Sequence, residues 1–151
     1  MKLSTKGRYG VKAMVDLAIN YGGDPISIKN ISKRQKVSEY YLEQLFGPLR
    51  KAELIKSIRG AQGGYVLNKN PKEITVADIM NVLEGPIEIS DCVDGVTCDN
   101  IDCCATRLLW EKIKYSIESV MESVTLQDIV DDYENMKKKK PKTIEFSMKQ
   151  E

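Results

Sequence analysis

The chain has 151 residues, 42% of them hydrophobic and 30% charged, with a formal net charge of +1 and no histidine. That length suits one compact domain, or one small domain with an appended element, and no run approaches the roughly 18 apolar residues of a membrane span. Without histidine, Ser-His-Asp and Cys-His nucleophile pairs, HExxH zinc sites and imidazole proton shuttles are excluded, and most hydrolase chemistry goes with them.

The basic N-terminus MKLSTKGRYGVKAM has no apolar signal core, so a cytoplasmic protein is expected. From Arg8 to Tyr21, Val11, Met14, Val15 and Ala18 recur at helical intervals, and Gly22-Gly23 is a stop signal. Ser27 caps a second, short helix through Gln35, with Ile28 and Ile31 inward; Val37 fills a turn and Ser38 caps a third helix. Two helices so closely spaced make a helix-turn-helix. Leu42, Leu45, Phe46 and Leu49 form the buried stripe of the third helix, which leaves Tyr40, Tyr41, Glu43, Gln44 and Gly47 on its other faces. Gly47-Pro48 predicts a kink or an early end there. Leu54 to Ile58 and Tyr65 to Leu67 alternate like strands around the glycine-rich turn Arg59 to Gly64, giving a β-hairpin. Thr75 caps a fourth helix through Leu83, and a loop with every cysteine follows. From Thr106 to Val124, Trp110, Ile113, Ile117, Val120 and Val124 mark one long amphipathic helix, which needs a partner. Thr125 caps a last short helix, and the lysine run 137–140 before Pro141 marks the end of packed structure.

The fold expected is therefore mainly α with a small β-hairpin wing. Its parts are a winged helix-turn-helix over 1–84, a cysteine loop over 85–105, a dimerisation helix and short C-terminal helix over 106–136, and a disordered basic tail over 137–151. Charge divides along the same lines. Residues 1–72 carry 14 Lys/Arg against 5 Asp/Glu, whereas 73–136 carry 3 against 15. A basic first half joined to an acidic second half points to a polyanion, nucleic acid above all. A helix fits the major groove of duplex DNA, with a basic wing beside it. Gln44 suits a bidentate contact to adenine, and Glu43 accepts from the cytosine amino group while repelling phosphates. Ser38, Tyr40 and Tyr41 start the same helix, Arg59 suits a narrow minor groove, and Gly63 and Gly64 permit close backbone approach. Lys33, Arg34, Lys36, Arg50, Lys51 and Lys56 are the phosphate contacts expected.

The four cysteines, at 92, 98, 103 and 104, fall in one 13-residue window and nowhere else. Such clustering suggests ligation. A disulfide scaffold does not suit a cytosolic chain, and the vicinal Cys103-Cys104 pair would close a strained ring. Zinc suits four thiolates, although CxxC knuckles are missing; iron-sulfur ligation accepts looser spacing, and unliganded thiols or a thiol switch stay open.

LSTKGRYGVKAMVDLA, SEYYLEQLFGPLRKAELIKSIRGAQGGYVL, and Cys92-x5-Cys98-x5-Cys104 followed by LLWEKI together resemble the IscR-like bacterial iron-sulfur cluster regulators, over about residues 1–135. The resemblance implies a homodimer paired through the long helix, a winged helix on a palindromic DNA operator, and a cluster that switches DNA binding. It implies Cys92, Cys98 and Cys104 as cluster ligands, Glu43 as the residue that discriminates between operator classes, and Arg59 as the wing contact. 2Fe-2S is favoured by the resemblance, with 4Fe-4S as the alternative. The family's pattern places histidine three residues after the last ligand, where this chain has Arg107, which cannot bind iron. Cys103, Asp102 or an exogenous thiol then stand as candidates for the fourth ligand; an acidic residue near the N-terminus, used by related nitric-oxide sensors, is replaced by Arg8. No enzyme activity and no membrane partner are expected. The alternatives are a nitric-oxide, thiol or metabolite sensor on the same fold, and a small iron-sulfur electron-transfer or carrier protein.

Overall fold

The computed structural model describes residues 2–95 and 98–140; Val96, Thr97 and the tail beyond Lys140 lie outside it. Among the described residues the order is α1 (Thr5–Ile19), α2 (Ile28–Gln35), α3 (Glu39–Lys51), β1 (Ile55–Ile58), β2 (Gly64–Leu67), a 3-10 turn (Pro71–Glu73), α4 (Val76–Glu84), α5 (Ala105–Ser123) and α6 (Leu126–Lys139). No described helix is long and apolar enough to cross a membrane.

Local capping chemistry sets most helix starts. Ser27, Ser38, Thr75 and Thr125 each accept a hydrogen bond from the amide three residues on, as their positions predict. α1 begins earlier than apolar spacing indicates, because the Gly7 amide donates at 2.9 Å both to Ser4 Oγ and to the Glu84 carboxylate from the end of α4. α4 then lies close along α1: a Cβ built on Gly10 would sit 2.0 Å from Leu83 Cδ1. The core contains Met14, Leu17, Ile31, Leu42, Leu45, Phe46, Leu49, Ile55, Ile74, Ile79 and Leu83, so the predicted stripe of α3 faces inward.

Of the two outcomes expected at Pro48, an early end does not occur, since α3 runs to Lys51. Leu45, Phe46 and Leu49 flank it at 0%, 1% and 0% exposure, and their burial outweighs the roughly 3 kcal/mol cost of a proline inside a helix. The hairpin is antiparallel, with Ile55 opposite Leu67 and Ile58 opposite Gly64. Ile26 bridges to β2 from outside the hairpin: its amide donates to the Tyr65 carbonyl at 3.0 Å, and its carbonyl accepts from the Tyr65 amide at 2.8 Å.

Two capping boxes stand side by side where α4 and α6 begin. Thr75 pairs with Asp78 and Thr125 with Asp128, while the Val76 amide donates to Val124 and the Leu126 amide to Ile74, both at 2.9 Å. Leu126, fully buried, completes this hook. α6 runs three residues past the expected boundary at 136, which is corrected accordingly. Lys137, Lys138 and Lys139 fall in its last turn, where cations complement the helix dipole.

α2 is held differently. Of its eight residues only Ile31 is buried. Asp16 of α1, 3% exposed, accepts from Arg34 Nε at 3.0 Å, from Arg34 Nη2 at 2.5 Å and from Gln35 Nε2 at 2.9 Å. The carboxylate raises the Arg34 pKa, chiefly through these hydrogen bonds. Arg34 is thus a clamp rather than the free phosphate contact expected from sequence. The two partners are unequal, because Arg34 reaches water and Asp16 does not. Arg34→Ala should therefore cost about 3 kcal/mol by stranding a buried carboxylate, and Asp16→Asn about 1.5 kcal/mol. Urea unfolding of both variants checks this; equal losses would contradict the asymmetry.

Candidate nucleic-acid interface and cysteine loop

α3 divides its residues as its stripe requires. Leu42, Leu45, Phe46 and Leu49 are buried, and Tyr40, Glu43, Gln44, Gly47, Arg50 and Lys51 are exposed on the opposite side. Tyr40 is 72% exposed at the first turn, where a reading helix meets base edges. Tyr41 belongs to the packed side instead: it is half-buried, and its ring meets Tyr9 edge-on with centroids 6.1 Å apart. Ser38 Oγ is engaged as the cap of α3, accepting from the Tyr41 amide at 3.2 Å.

Beside this helix the wing presents Arg59, exposed on the turn, with Lys56 exposed on β1. Phe46 and Tyr65, 4.8 Å apart edge-to-face, join α3 to the wing, so both elements keep a set relation. Gly63 and Gly64 prove to serve the chain's own backbone: a Cβ would lie 2.2 Å from the Ile58 carbonyl oxygen at Gly63 and 2.3 Å from that of Ile26 at Gly64. Their close approach is thus used to root the wing, a different reason from the DNA contact expected. Lys33, Lys36, Arg50, Lys51, Lys56 and Arg59 are all exposed cations of this half.

The cysteine loop leads into α5. Cys92 and Cys104 are half-buried, whereas Cys98 and Cys103 are exposed. Cys92 Sγ lies 3.1 Å from Ser90 Oγ. Cys104 is the N-cap residue of α5 and sits 3.2 Å from the Thr106 hydroxyl. That hydroxyl, the Arg107 amide and the Arg107 charge hold the Cys104 thiol below its ordinary range, which favours the thiolate that binds metals and attacks electrophiles. Arg107 points back to the loop, donating to the Ile101 carbonyl at 3.5 Å, and its Nε lies 2.9 Å from Glu111. Cys103, Cys104, Arg107 and Glu111 help line an open cleft of about 530 Å³.

Thiolates suit an iron-sulfur group, and this donor set fits one in its chemistry. The thiols are not gathered, however: among the described residues no three Cys, Asp or Glu side chains come together to hold a metal ion. Sequence reasoning missed Asp94, whose carboxylate receives the Lys114 ammonium at 2.6 Å and ties the loop to α5. The window's excess of aspartates hid it.

α5 buries none of its 19 residues. Trp110, Ile113, Ile117 and Val124 are half-buried, but Leu109 is 49% and Val120 61% exposed. Leu109, Ile113, Ser116 and Val120 step by four, three and four, a seam that a second helix fits.

A helix-turn-helix with a rooted wing and an exposed basic face are the parts of a winged-helix transcriptional regulator. The chain belongs to the Rrf2 family of iron-dependent transcriptional regulators, whose family model matches residues 3–132. It is 47% identical over 129 residues to the HTH-type transcriptional regulator CymR of Bacillus subtilis, covering 85% of this chain and 89% of that one. The structure of CymR, the global cysteine regulator of B. subtilis, superposes with a TM-score of 0.76 at 45% identity, over 87% of this chain and 98% of that one. The structure of T. potens IscR superposes with a TM-score of 0.77 at 47% identity, over 94% and 93% of the two chains.

The exposed face of α3 separates two kinds of contact. Gln44→Ala should lose about 1 to 3 kcal/mol at one base pair and relax preference there, while Lys51→Ala should weaken all sequences alike and flatten the salt dependence. Binding to a single-substitution operator library measures both. Equal, sequence-independent losses would remove α3 as the reading element.

Proposed function

We propose that the chain is a cytoplasmic, homodimeric regulator that binds a palindromic operator in duplex DNA and adjusts that binding through an iron-sulfur cluster on Cys92, Cys98 and Cys104. The observation that carries this reading is that every cysteine of the chain sits in one loop running directly into α5, a helix with no fully buried residue. A change at the thiols therefore acts first on the start of that helix. Cys92 and Cys104 would hold the group from the two ends of the loop and Cys98 from its exposed middle; the cluster would supply the redox and ligand chemistry. 2Fe-2S is the form we favour. Cys103 is the candidate fourth ligand within the chain, since Arg107 has no lone pair to offer. Gln44, Glu43, Tyr40, Arg59 and the cations Arg50 and Lys51 are the contacts we assign to DNA, with Glu43 as selector between operators.

A second reading is supported by the activated Cys104 and by the dispersed thiols: a thiol switch without a cluster. Similarity to CymR, the global cysteine regulator of B. subtilis, favours it. Spectra, iron and sulfide of protein purified without oxygen decide between the two. A carrier protein would instead bind DNA weakly and without sequence preference, whereas a regulator loses affinity steeply with salt and prefers one site.

Two outcomes are expected. Val120→Glu should give monomers that bind a full palindrome weakly, because one helix-turn-helix reads half a site; sedimentation of a wild-type monomer at micromolar concentration would overturn the dimer. Substituting Cys92, Cys98 or Cys104 by alanine should abolish cluster retention, and Arg107→His should increase it in air. Near-complete loss in Cys103→Ala would make Cys103 the fourth ligand. Native iron and sulfide in all four cysteine variants would overturn the cysteine-ligated cluster.

A further inference from the structure

One carboxylate closes the segment that carries Cys92. Asp94 Oδ2 accepts from the amides of Ile89 and Ser90 at 2.7 and 2.9 Å, and Oδ1 accepts from the Lys114 ammonium at 2.6 Å. The amides of Val93 and Asp94 donate in turn to the Ser90 carbonyl at 2.8 and 3.0 Å. Cys92 lies inside this ring, within 3.1 Å of the Ser90 hydroxyl.

The far end of the pair is on α5, twenty residues away in sequence. The side chains of Lys114 and Asp94 are 24% and 12% exposed, so water screens the pair much less than it screens a surface ion pair. Glu88 and Glu118 also face the ammonium. Both oxygens of Asp94 are engaged and its orientation is set by two backbone amides, which gives the contact the directionality of a charge-assisted hydrogen bond. By contrast, Cys98 and Cys103 are exposed and Cys104 is fastened to α5 by its own backbone.

We propose that Asp94 and Lys114 are positioning residues that hold the Cys92 thiol against α5, leaving Cys98 and Cys103 as the mobile thiols that come to it. This rests on the reading of the cysteine loop as the sensing element, and it names the link by which events at the first cysteine reach the helix offered to a second copy. The link depends on an aspartate two residues after the first cysteine and a lysine in the third turn of α5.

The test uses the full-length chain, reduced and metal-free, with iodoacetamide alkylation of each cysteine followed by mass spectrometry. In the wild type Cys92 should react more slowly than Cys98. Lys114→Met and Asp94→Asn should each raise the Cys92 rate about tenfold, the factor expected for losing one charge-assisted hydrogen bond. The double variant should add nothing further, Lys114→Arg should restore the wild-type rate, and Cys98 and Cys103 should not change. An unchanged Cys92 rate in Lys114→Met would overturn the proposal. So would a parallel rise at all four cysteines, which would make the pair a general staple of the fold. If the wild type takes up no cluster and binds DNA alike whether oxidised or reduced, the sensing reading fails, while the Cys92 rates still decide the positioning role by themselves.

Discussion

The helix-turn-helix depends on one buried carboxylate. α2 contributes a single buried side chain, too little apolar surface to set its rotation about its own axis. Asp16 supplies what the core does not, drawing Arg34 and Gln35 onto α1 across 18 and 19 residues of sequence. With α2 so fixed, the left-handed turn at Lys36 and the Ser38 cap launch α3, and the α3 stripe closes the core. The exposed residues of α3 face outward because their neighbours are buried. Presentation of Gln44 and Glu43 is thus a consequence of packing elsewhere.

The wing is attached by backbone rather than by side chains alone. Ile26 pairs with Tyr65 through two main-chain hydrogen bonds, a contact open only because Gly64 has no Cβ. Phe46 meets Tyr65 from α3, so the wing and α3 share one anchor. Arg59 is carried on a hairpin fastened at its base. The same half of the chain holds the cation excess, and the acidic half, with α5 and the cysteine loop, lies apart from it in sequence.

The cysteine loop and α5 are tied to each other by polar contacts. Cys104 starts the helix, Asp94 grips its third turn, and Arg107 leans back to the Ile101 carbonyl. Three polar ties between a loop and a helix with no buried residue couple the two without burying either. The remaining packing of α5 comes from half-buried side chains such as Trp110, Ile113 and Ile117. The Thr75–Thr125 hook holds its far end, and α6 returns to α1 through fully buried Leu126.

Much of this was legible in the chain. Serine and threonine caps, the Leu42, Leu45, Phe46 and Leu49 stripe, the hairpin and the amphipathic run of α5 are signals carried within a turn or two, and local chemistry decides them. The same local rules failed at Pro48, where burial of its neighbours overrode backbone preference, and at Tyr41, which helical spacing alone left free and Tyr9 claimed. They were silent on Glu84 capping α1, on Asp16 holding α2 and on Asp94 holding Lys114. By itself the sequence determined the elements, the basic first half and the single cysteine loop, because composition and short-range periodicity suffice for those. Which carboxylate is buried beneath α2, and which cations Asp16 and Asp94 already hold, was decided by tertiary structure alone, since each is a polar contact between residues far apart in sequence that forms only once the apolar core has brought the helices together.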